Sequence, residues 1–157
     1  MKIMNNSKPF DFASFLSVNQ HGSFSGLDYV HVVYKDRGLV YDFLFHFGKL
    51  FLPDFKVVDG AIFVSELFRD EEYKRLLSDG KASHEIQFWI NLLEITGMFD
   101  DIDTDQAAEL AKLIVDGWNA KLQREFGDVS VPARVLCDDE LGEVFVTIGY
   151  QDKRAGK

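Results

Sequence analysis

Phenylalanine content is the feature that most constrains how this chain folds: 15 of its 157 residues are Phe, against 5 Tyr and 2 Trp. A Phe ring has no polar atom, so it gains free energy only when it is buried or covered by a partner. A chain of this length buries roughly two thirds of its unfolded surface without cross-links. We therefore predict one globular domain over residues 1–150 with a thick core, followed by a loose C-terminal tail over residues 151–157.

Two hairpins are predicted from apolar runs that flank short turn sequences. The four strand-like runs are Phe55–Val58, Ala61–Val64, Val129–Cys137 and Glu143–Tyr150. The dipeptide Asp59-Gly60 between the first two runs is the strongest hairpin signal in the chain, since both residues readily adopt the positive φ that a tight turn needs. Pro132 has no N–H to donate to a neighbouring strand, so the third run is expected at a sheet edge.

A third hairpin is predicted between residues 29 and 47. Its strands are Tyr29–Tyr34 and Leu39–Phe47, and Lys35–Gly38 supplies a four-residue loop that ends on glycine. This register places His31 opposite Asp42 on one face of the pair. A helix competes with the second strand, because five of its apolar residues also recur at helical spacing: Leu39, Val40, Phe43, Leu44 and Phe47. Strict alternation of the aromatic residues favours the strand.

Helices are predicted before and between the hairpins. Their bounds are about Phe10–Val18, a helix capped by Ser65 that ends before Gly80, Ser83–Thr96, and a helix capped by Thr104 that ends at Gly127. The third of these has an alternative, because Ile86, Phe88, Ile90 and Leu92 also alternate as in a strand. In the last helix, Gly117 interrupts the apolar stripe, which indicates close approach of another backbone. Together these patterns predict an α+β fold: a mostly antiparallel sheet built from hairpins, with three to four helices packed on one face.

The net charge of −9 and the single cysteine narrow the classes of function. Nucleic acid is a poor partner, because binding it requires clustered basic side chains. One cysteine permits no intramolecular disulfide, and no apolar segment is long enough for a signal peptide or a membrane span, so we expect a cytoplasmic protein. The sequence indicates no membrane partner and no cofactor, and it does not fix the oligomeric state.

Known catalytic and metal-binding patterns do not fit the chain. The run Asp101–Asp105 begins like a calcium-binding loop. Such a loop requires glycine at its sixth position and glutamate at its twelfth, whereas this chain has Gln106 and Lys112 there. The four histidines lack metal-ligand spacing. Cys137 precedes three acidic residues, and negative charge beside the sulfur makes it a weak nucleophile, so we expect a structural thiol. The sequence therefore assigns no catalytic residue and no metal site.

Clustered acidic residues carry the functional prediction. The candidate partner-binding residues are Asp100, Asp101, Asp103, Asp105, Asp138, Asp139 and Glu140. Clustered charge of one sign speeds encounter with a partner of the opposite sign. We therefore expect a small acidic protein-binding module, of the inhibitor or immunity type, for a basic protein. Excess acid that serves only solubility is the competing explanation.

The alternative function is a small-ligand-binding domain or an enzyme. In this alternative we expect an aromatic-lined cleft near His31, in which a cross-strand pair of His31 and Asp42 acts as a general-base unit. Such pairs are more often polar contacts between strands, and the sequence specifies neither a nucleophile nor a second acid.

Overall fold

The computed structural model describes residues 11–128 and 131–150. The chain divides into two compact units, residues 1–45 (the N-terminal unit) and residues 46–157 (the C-terminal unit). Seven helices and five strands lie within the described residues. The single domain over residues 1–150 stays a prediction, and the predicted tail over residues 151–157 lies outside the described residues.

The N-terminal unit is helical. It contains α1 (Phe12–Val18), α2 (Gly26–Arg37) and the start of α3 (Tyr41–Phe51). The predicted first helix is thus confirmed over most of its length, although Phe10 lies outside the described residues. The rings of Phe12 and Phe15 pack against Tyr29 with centroids 5.4 and 5.7 Å apart, which joins α1 to α2.

The hairpin predicted over residues 29–47 is wrong. Ser25 and Asp28 form a capping box that starts α2 ahead of Tyr29, and the N–H of Ser25, donating to the carboxylate at 2.7 Å, lowers the pKa of Asp28. Gly38 ends that helix in the left-handed conformation, with φ of 60°. Glycine serves a helix C-terminus and a hairpin loop equally well, so the turn signal was ambiguous. The helical spacing after Leu39 is the pattern that the chain follows.

The C-terminal unit contains two antiparallel sheets. Strands β1 (Phe55–Val58) and β2 (Ala61–Val64) form the first, and the turn at Asp59 and Gly60 has φ of 49° and 79°. Strands β3 (Leu93–Glu94), β4 (Ala133–Asp138) and β5 (Glu143–Ile148) form the second, in the order β3-β5-β4. Both predicted hairpins are therefore confirmed, and the strand after Pro132 lies at an edge. Val129 lies outside the described residues.

The helices of this unit differ from the predicted bounds. They are α4 (Asp70–Ser78), α5 (Ser83–Ile90), α6 (Ile95–Met98) and α7 (Thr104–Phe126). Ser65 does not cap α4, because the helix begins only after Arg69; the N–H of Ser65 donates to the carbonyl oxygen of Asp54. The predicted helix over Ser83–Thr96 breaks at Asn91, beyond which the chain pairs with β5.

The larger of two apolar clusters in the C-terminal unit lies between α7 and the three-stranded sheet, and the smaller one lies around β2, α4 and α5. Five side chains of the predicted α7 stripe are buried and one, Leu110, is partly buried; the buried ones are Ala107, Ala111, Ile114, Trp118 and Leu122. The close approach predicted at Gly117 is also confirmed, since a Cβ there would lie 2.3 Å from the carbonyl oxygen of Phe51. The indole N–H of Trp118 donates to the carbonyl oxygen of Leu50 at 2.8 Å. The segment before β1 is thereby fixed against α7.

Two polar side chains, Gln87 on α5 and Asn91 at its C-terminal end, point inward to β2. The side chain of Asn91 is fully buried; its Oδ1 accepts from the N–H of Val64 and its Nδ2 donates to the carbonyl oxygen of Ile62. Gln87 accepts from the N–H of Ile62 in the same way. These amides take the place of a third strand along β2. Trp89, on the same helix, is exposed.

The fold is mixed α+β with antiparallel hairpins, in two small sheets rather than one. Fewer Phe rings are buried than the thick core expected from the Phe content would require. Several rings are exposed, most of them in the N-terminal unit: Phe12, Phe24, Phe43, Phe45 and Phe47. No helix among the described residues is both long and apolar enough to cross a membrane.

Candidate partner-binding site

The start of α7 holds the first group of predicted site residues. Asp103, and not Thr104, is the N-cap: its Oδ1 accepts from the N–H of Gln106 at 2.8 Å, and the Gln106 side chain accepts from the N–H of Asp103. Asp100, Asp101 and Asp105 are exposed, and no hydrogen bond or ion pair satisfies their carboxylates within the described residues. Asp103 caps the helix and Asp105 in its first turn is favoured by the helix dipole, so Asp100 and Asp101 are the two carboxylates with no role in the helix start.

The loop between β4 and β5 holds the second group. Oδ1 of Asp138 accepts from the N–H groups of Glu140 and Leu141, both at 3.1 Å, which shapes the turn. The side chains of Asp139 and Glu140 are exposed and form no ion pair in the described chain. Leu141 stands 70% exposed beside them, an apolar side chain bordered by carboxylates.

The two groups of acids meet in the structure. The hydroxyl of Thr104 points at the carbonyl oxygen of Gly142, 3.5 Å away, so the start of α7 lies against the β4–β5 loop. We call this surface the acidic edge. It comprises the seven predicted residues: Asp100, Asp101, Asp103, Asp105, Asp138, Asp139 and Glu140. None of its seven carboxylates forms an ion pair within the described residues, so their charge is available to a partner.

Local repulsion lies at the border of the acidic edge. In the register of β4 and β5, Asp138 pairs with Glu143, and like charges directly opposite each other destabilise a strand pair.

Charge is distributed unevenly along the chain as well. Residues 1–45 contain four Lys or Arg and four Asp, so the whole net charge of −9 belongs to residues 46–157.

The second predicted site, His31 with Asp42, is not a cross-strand pair. His31 lies on α2 and Asp42 in the first turn of α3, and both side chains are exposed. The register that placed them opposite each other required the hairpin that the helices replace. The general-base interpretation loses its geometric basis with it.

Cys137 and the run Asp101–Asp105 also have defined places. Cys137 lies on the edge strand β4 and is exposed, so the thiol expected to be structural is open to solvent. Helix α7 begins at Thr104, within the run, so those residues do not form a twelve-residue loop. In the described part of the chain, no group of three His, Cys, Asp or Glu side chains is arranged to hold a metal ion.

Sequence patterns missed one charged network, at the junction of α3, β1 and α7. The Lys121 side chain is nearly buried, and its Nζ donates to the carbonyl oxygen of Pro53 at 2.6 Å and to Oδ1 of Asp54 at 3.2 Å. Lys49 donates to the same carboxylate at 2.8 Å, and these two lysines lower the pKa of Asp54. The sequence does hold one signal of this network. Lys121 occurs on the apolar stripe of α7, one residue before Leu122, where a charged side chain is unexpected. This network joins α7 to the segment before β1, and none of its residues belongs to the acidic edge.

Comparison with known proteins gives no relative. No protein-family model, no curated protein and no solved structure matches this chain.

Proposed function

We propose that this chain is a small acidic protein-binding module of the cytoplasm, of the inhibitor or immunity type, and that a basic protein docks on the acidic edge. The observation that carries the proposal is the contact between Thr104 and Gly142, which unites acidic segments from distant parts of the sequence. Charges gathered on one surface add their fields, which raises the rate of encounter with a basic partner.

Folding does not account for the number of acids at this edge. Asp103 caps α7 and Asp138 shapes the loop, whereas Asp100, Asp101 and Asp139 bond to nothing among the described residues. Their mutual repulsion opposes folding. A basic partner would relieve that repulsion on binding, because its cations supply the charge that the chain itself lacks at this surface.

Leu141 gives the edge an apolar contact point. Protein interfaces combine a water-excluded apolar centre with a polar rim. A side chain that is 70% exposed and bordered by Asp138, Asp139 and Glu140 matches that arrangement on a small scale. Docking of a partner would use Leu141 as this apolar contact and the carboxylates around it as the polar rim.

A capture experiment tests the proposal. Extract of the native cell is passed over the immobilised wild-type chain and over a variant with four edge charges removed: Asp100→Asn, Asp101→Asn, Asp139→Asn and Glu140→Gln. The matched control removes four exposed acids elsewhere in the same unit: Glu66→Gln, Asp70→Asn, Glu71→Gln and Asp116→Asn.

We expect the wild-type and control columns to retain the same basic protein and the edge variant to lose it. A wild-type column that retains no more than the edge variant contradicts the proposal. Equal loss from the edge and control variants contradicts it too, because the effect then follows net charge rather than this surface.

A further inference from the structure

Strand β4 has one edge that pairs with no other strand of its sheet, whose order is β3-β5-β4. The N–H of Gly149 donates to the carbonyl oxygen of Pro132, so every second residue from Pro132 onward bonds to β5. The backbone groups of the residues between them point away from β5. Ala133 is the first of these, and its N–H and carbonyl oxygen bond to the side chain of Asn119 instead. The open edge of β4 therefore begins beyond Ala133.

Val135 and Cys137 are the next two residues whose backbone groups point outward. Within the described part of the chain, their outward N–H groups and carbonyl oxygens form no hydrogen bond. The side chain of Cys137 is exposed as well, so solvent reaches this end of the strand. Unpaired backbone donors and acceptors along an edge strand are a template on which another strand can pair.

A second copy of β4 would fit this edge in an antiparallel register that uses only these groups. Val135 would lie opposite Cys137 of the second copy, with a two-fold axis at Leu136. Each of the two such pairs exchanges two backbone hydrogen bonds. Leu136 would then face Leu136 of the second copy, and Arg134 would face Asp138.

The charges on β4 make the strand its own complement in this register. Arg134 and Asp138 lie on the same face of the strand, and opposite charges directly across a strand pair stabilise it. Oδ1 of Asp138 accepts from two N–H groups of its loop, whereas Oδ2 accepts no hydrogen bond within the described residues. Nε of Arg134 donates to the carbonyl oxygen of Gly149, and its side chain forms no ion pair in the described chain. A cation beside Asp138 would also offset its repulsion with Glu143.

The open edge of β1 lacks this complementarity. The N–H of Ser65 donates to the carbonyl oxygen of Asp54, so the backbone groups of Phe55 and Val57 point away from β2. Pairing two copies through those groups would set Lys56 opposite Lys56, and like charges directly opposite each other destabilise a strand pair. Charge therefore selects β4, and not β1, for pairing with a second copy.

We infer that β4 pairs antiparallel with β4 of a second copy of this chain, so that the two three-stranded sheets become one sheet of six strands. The net charge of −9 on each copy opposes association, but salt near physiological ionic strength screens charges that are more than about 8 Å apart. The dimer therefore forms at high protein concentration. Its register uses Asp138 but none of the four acids changed in the capture variant, so failure of the dimer and failure of the proposed function are separable.

Proline at position 135 tests the pairing. Val135→Pro removes one outward N–H and places a ring at the interface, while the hydrogen bonds to β5 come from the neighbouring residues. Val57→Pro makes the same change at the open edge of β1 and is the matched control. Sedimentation equilibrium of the full chain measures the mass over a range of concentrations. We expect the wild type, 17.9 kDa as one copy, and the control to reach twice that mass, and Val135→Pro to remain at the mass of one copy.

Disulfide cross-linking tests the register, and it does so even if Val135→Pro unfolds. The variant Leu136→Cys with Cys137→Ser places one thiol of each copy at the two-fold axis. Opposed residues that exchange no hydrogen bond have Cα atoms about 4.5 Å apart, within the range that a disulfide spans. We expect this variant to oxidise to a covalent dimer. The wild type is the control, because each Cys137 lies two residues away from the position opposite the other and should not cross-link.

A wild-type chain that stays monomeric at every concentration overturns the inference. A dimer that persists in a folded Val135→Pro variant places the interface elsewhere and also overturns it, as does cross-linking of the wild type without cross-linking of the Leu136→Cys variant. A monomeric wild type that binds a short basic peptide, with binding lost in Val135→Pro, would assign the edge to a strand of the basic partner instead.

Discussion

The hydroxyl of Thr104 faces the carbonyl oxygen of Gly142 at 3.5 Å, and through this contact the first turn of α7 meets the β4–β5 loop. Thr104 and Gly142 are 38 positions apart along the chain, yet the segment around each brings its own carboxylates to the same surface. The contact thus turns two acidic stretches of sequence into one acidic edge.

Helix packing at Gly117 leads to a prediction whose sign is unusual. Replacing a glycine inside a helix with alanine ordinarily stabilises by about 1 kcal/mol. At Gly117 the added Cβ would lie 2.3 Å from the carbonyl oxygen of Phe51, so we expect Gly117→Ala to destabilise by about 1–3 kcal/mol through overpacking. Gly48→Ala in α3 is the matched control, because its Cβ would meet open space. Urea unfolding measures both; a stabilising Gly117→Ala would show that the segment around Phe51 yields.

The Asp54 network makes stability depend on pH. Hydrogen bonds from Lys49 and Lys121 lower the pKa of Asp54, so its stabilising contribution is present above the ordinary carboxyl range and is lost as the pH falls through the lowered pKa. We expect Asp54→Asn to lower the free energy of unfolding by about 1 kcal/mol at neutral pH, the upper end for a partly exposed ion pair. The difference should vanish in strong acid.

Thermal melts of the wild type, Asp54→Asn and Asp116→Asn across the acid range check this prediction. The Asp116 side chain is exposed and forms no ion pair in the described chain, so its variant should track the wild type at every pH. A difference between Asp54→Asn and the wild type that persists unchanged into strong acid would assign the effect to something other than ionisation.

Cys137 gives a prediction about reactivity. Because its side chain is exposed on an edge strand, a neutral thiol reagent should label it in the folded protein. The reaction should proceed at a rate within about tenfold of that in urea, since access is not the limit. Absorbance of the released chromophore follows both reactions. Labelling that occurs only after unfolding would mean that the thiol is covered in solution, as the sequence had suggested.

The elements that could be predicted from the sequence are those determined by local features, such as a turn dipeptide or a long apolar stripe. Asp59 and Gly60 gave the β1–β2 hairpin because few other residues tolerate two successive positive φ angles, and the stripe of α7 was visible because it repeats over 23 residues. The prediction of a strand over residues 39–47 was wrong because an almost wholly apolar run satisfies both the helical and the strand period. The overlooked signal was the capping box of Ser25 and Asp28, which starts α2 and thereby removes the first strand of the predicted hairpin.

The acidic edge was predictable in its parts but not in its assembly. Each acidic cluster is plain in the sequence, whereas their meeting depends on the tertiary contact of Thr104 with Gly142. The inward amide of Asn91 was missed for a related reason. A polar side chain at helical spacing with other polar residues normally marks a solvent face, and only the open edge of β2 shows that this one is needed inside.

The central claim, that the acidic edge steers a basic protein, is tested most directly by the association rate of the captured partner, measured by stopped-flow at increasing salt. We predict that the wild-type and control chains associate rapidly at low salt and slow steeply as salt screens the edge. The variant lacking the charges of Asp100, Asp101, Asp139 and Glu140 should associate at least several-fold more slowly at low salt and show a flatter salt dependence. An edge variant that associates at the wild-type rate at low salt would contradict the claim.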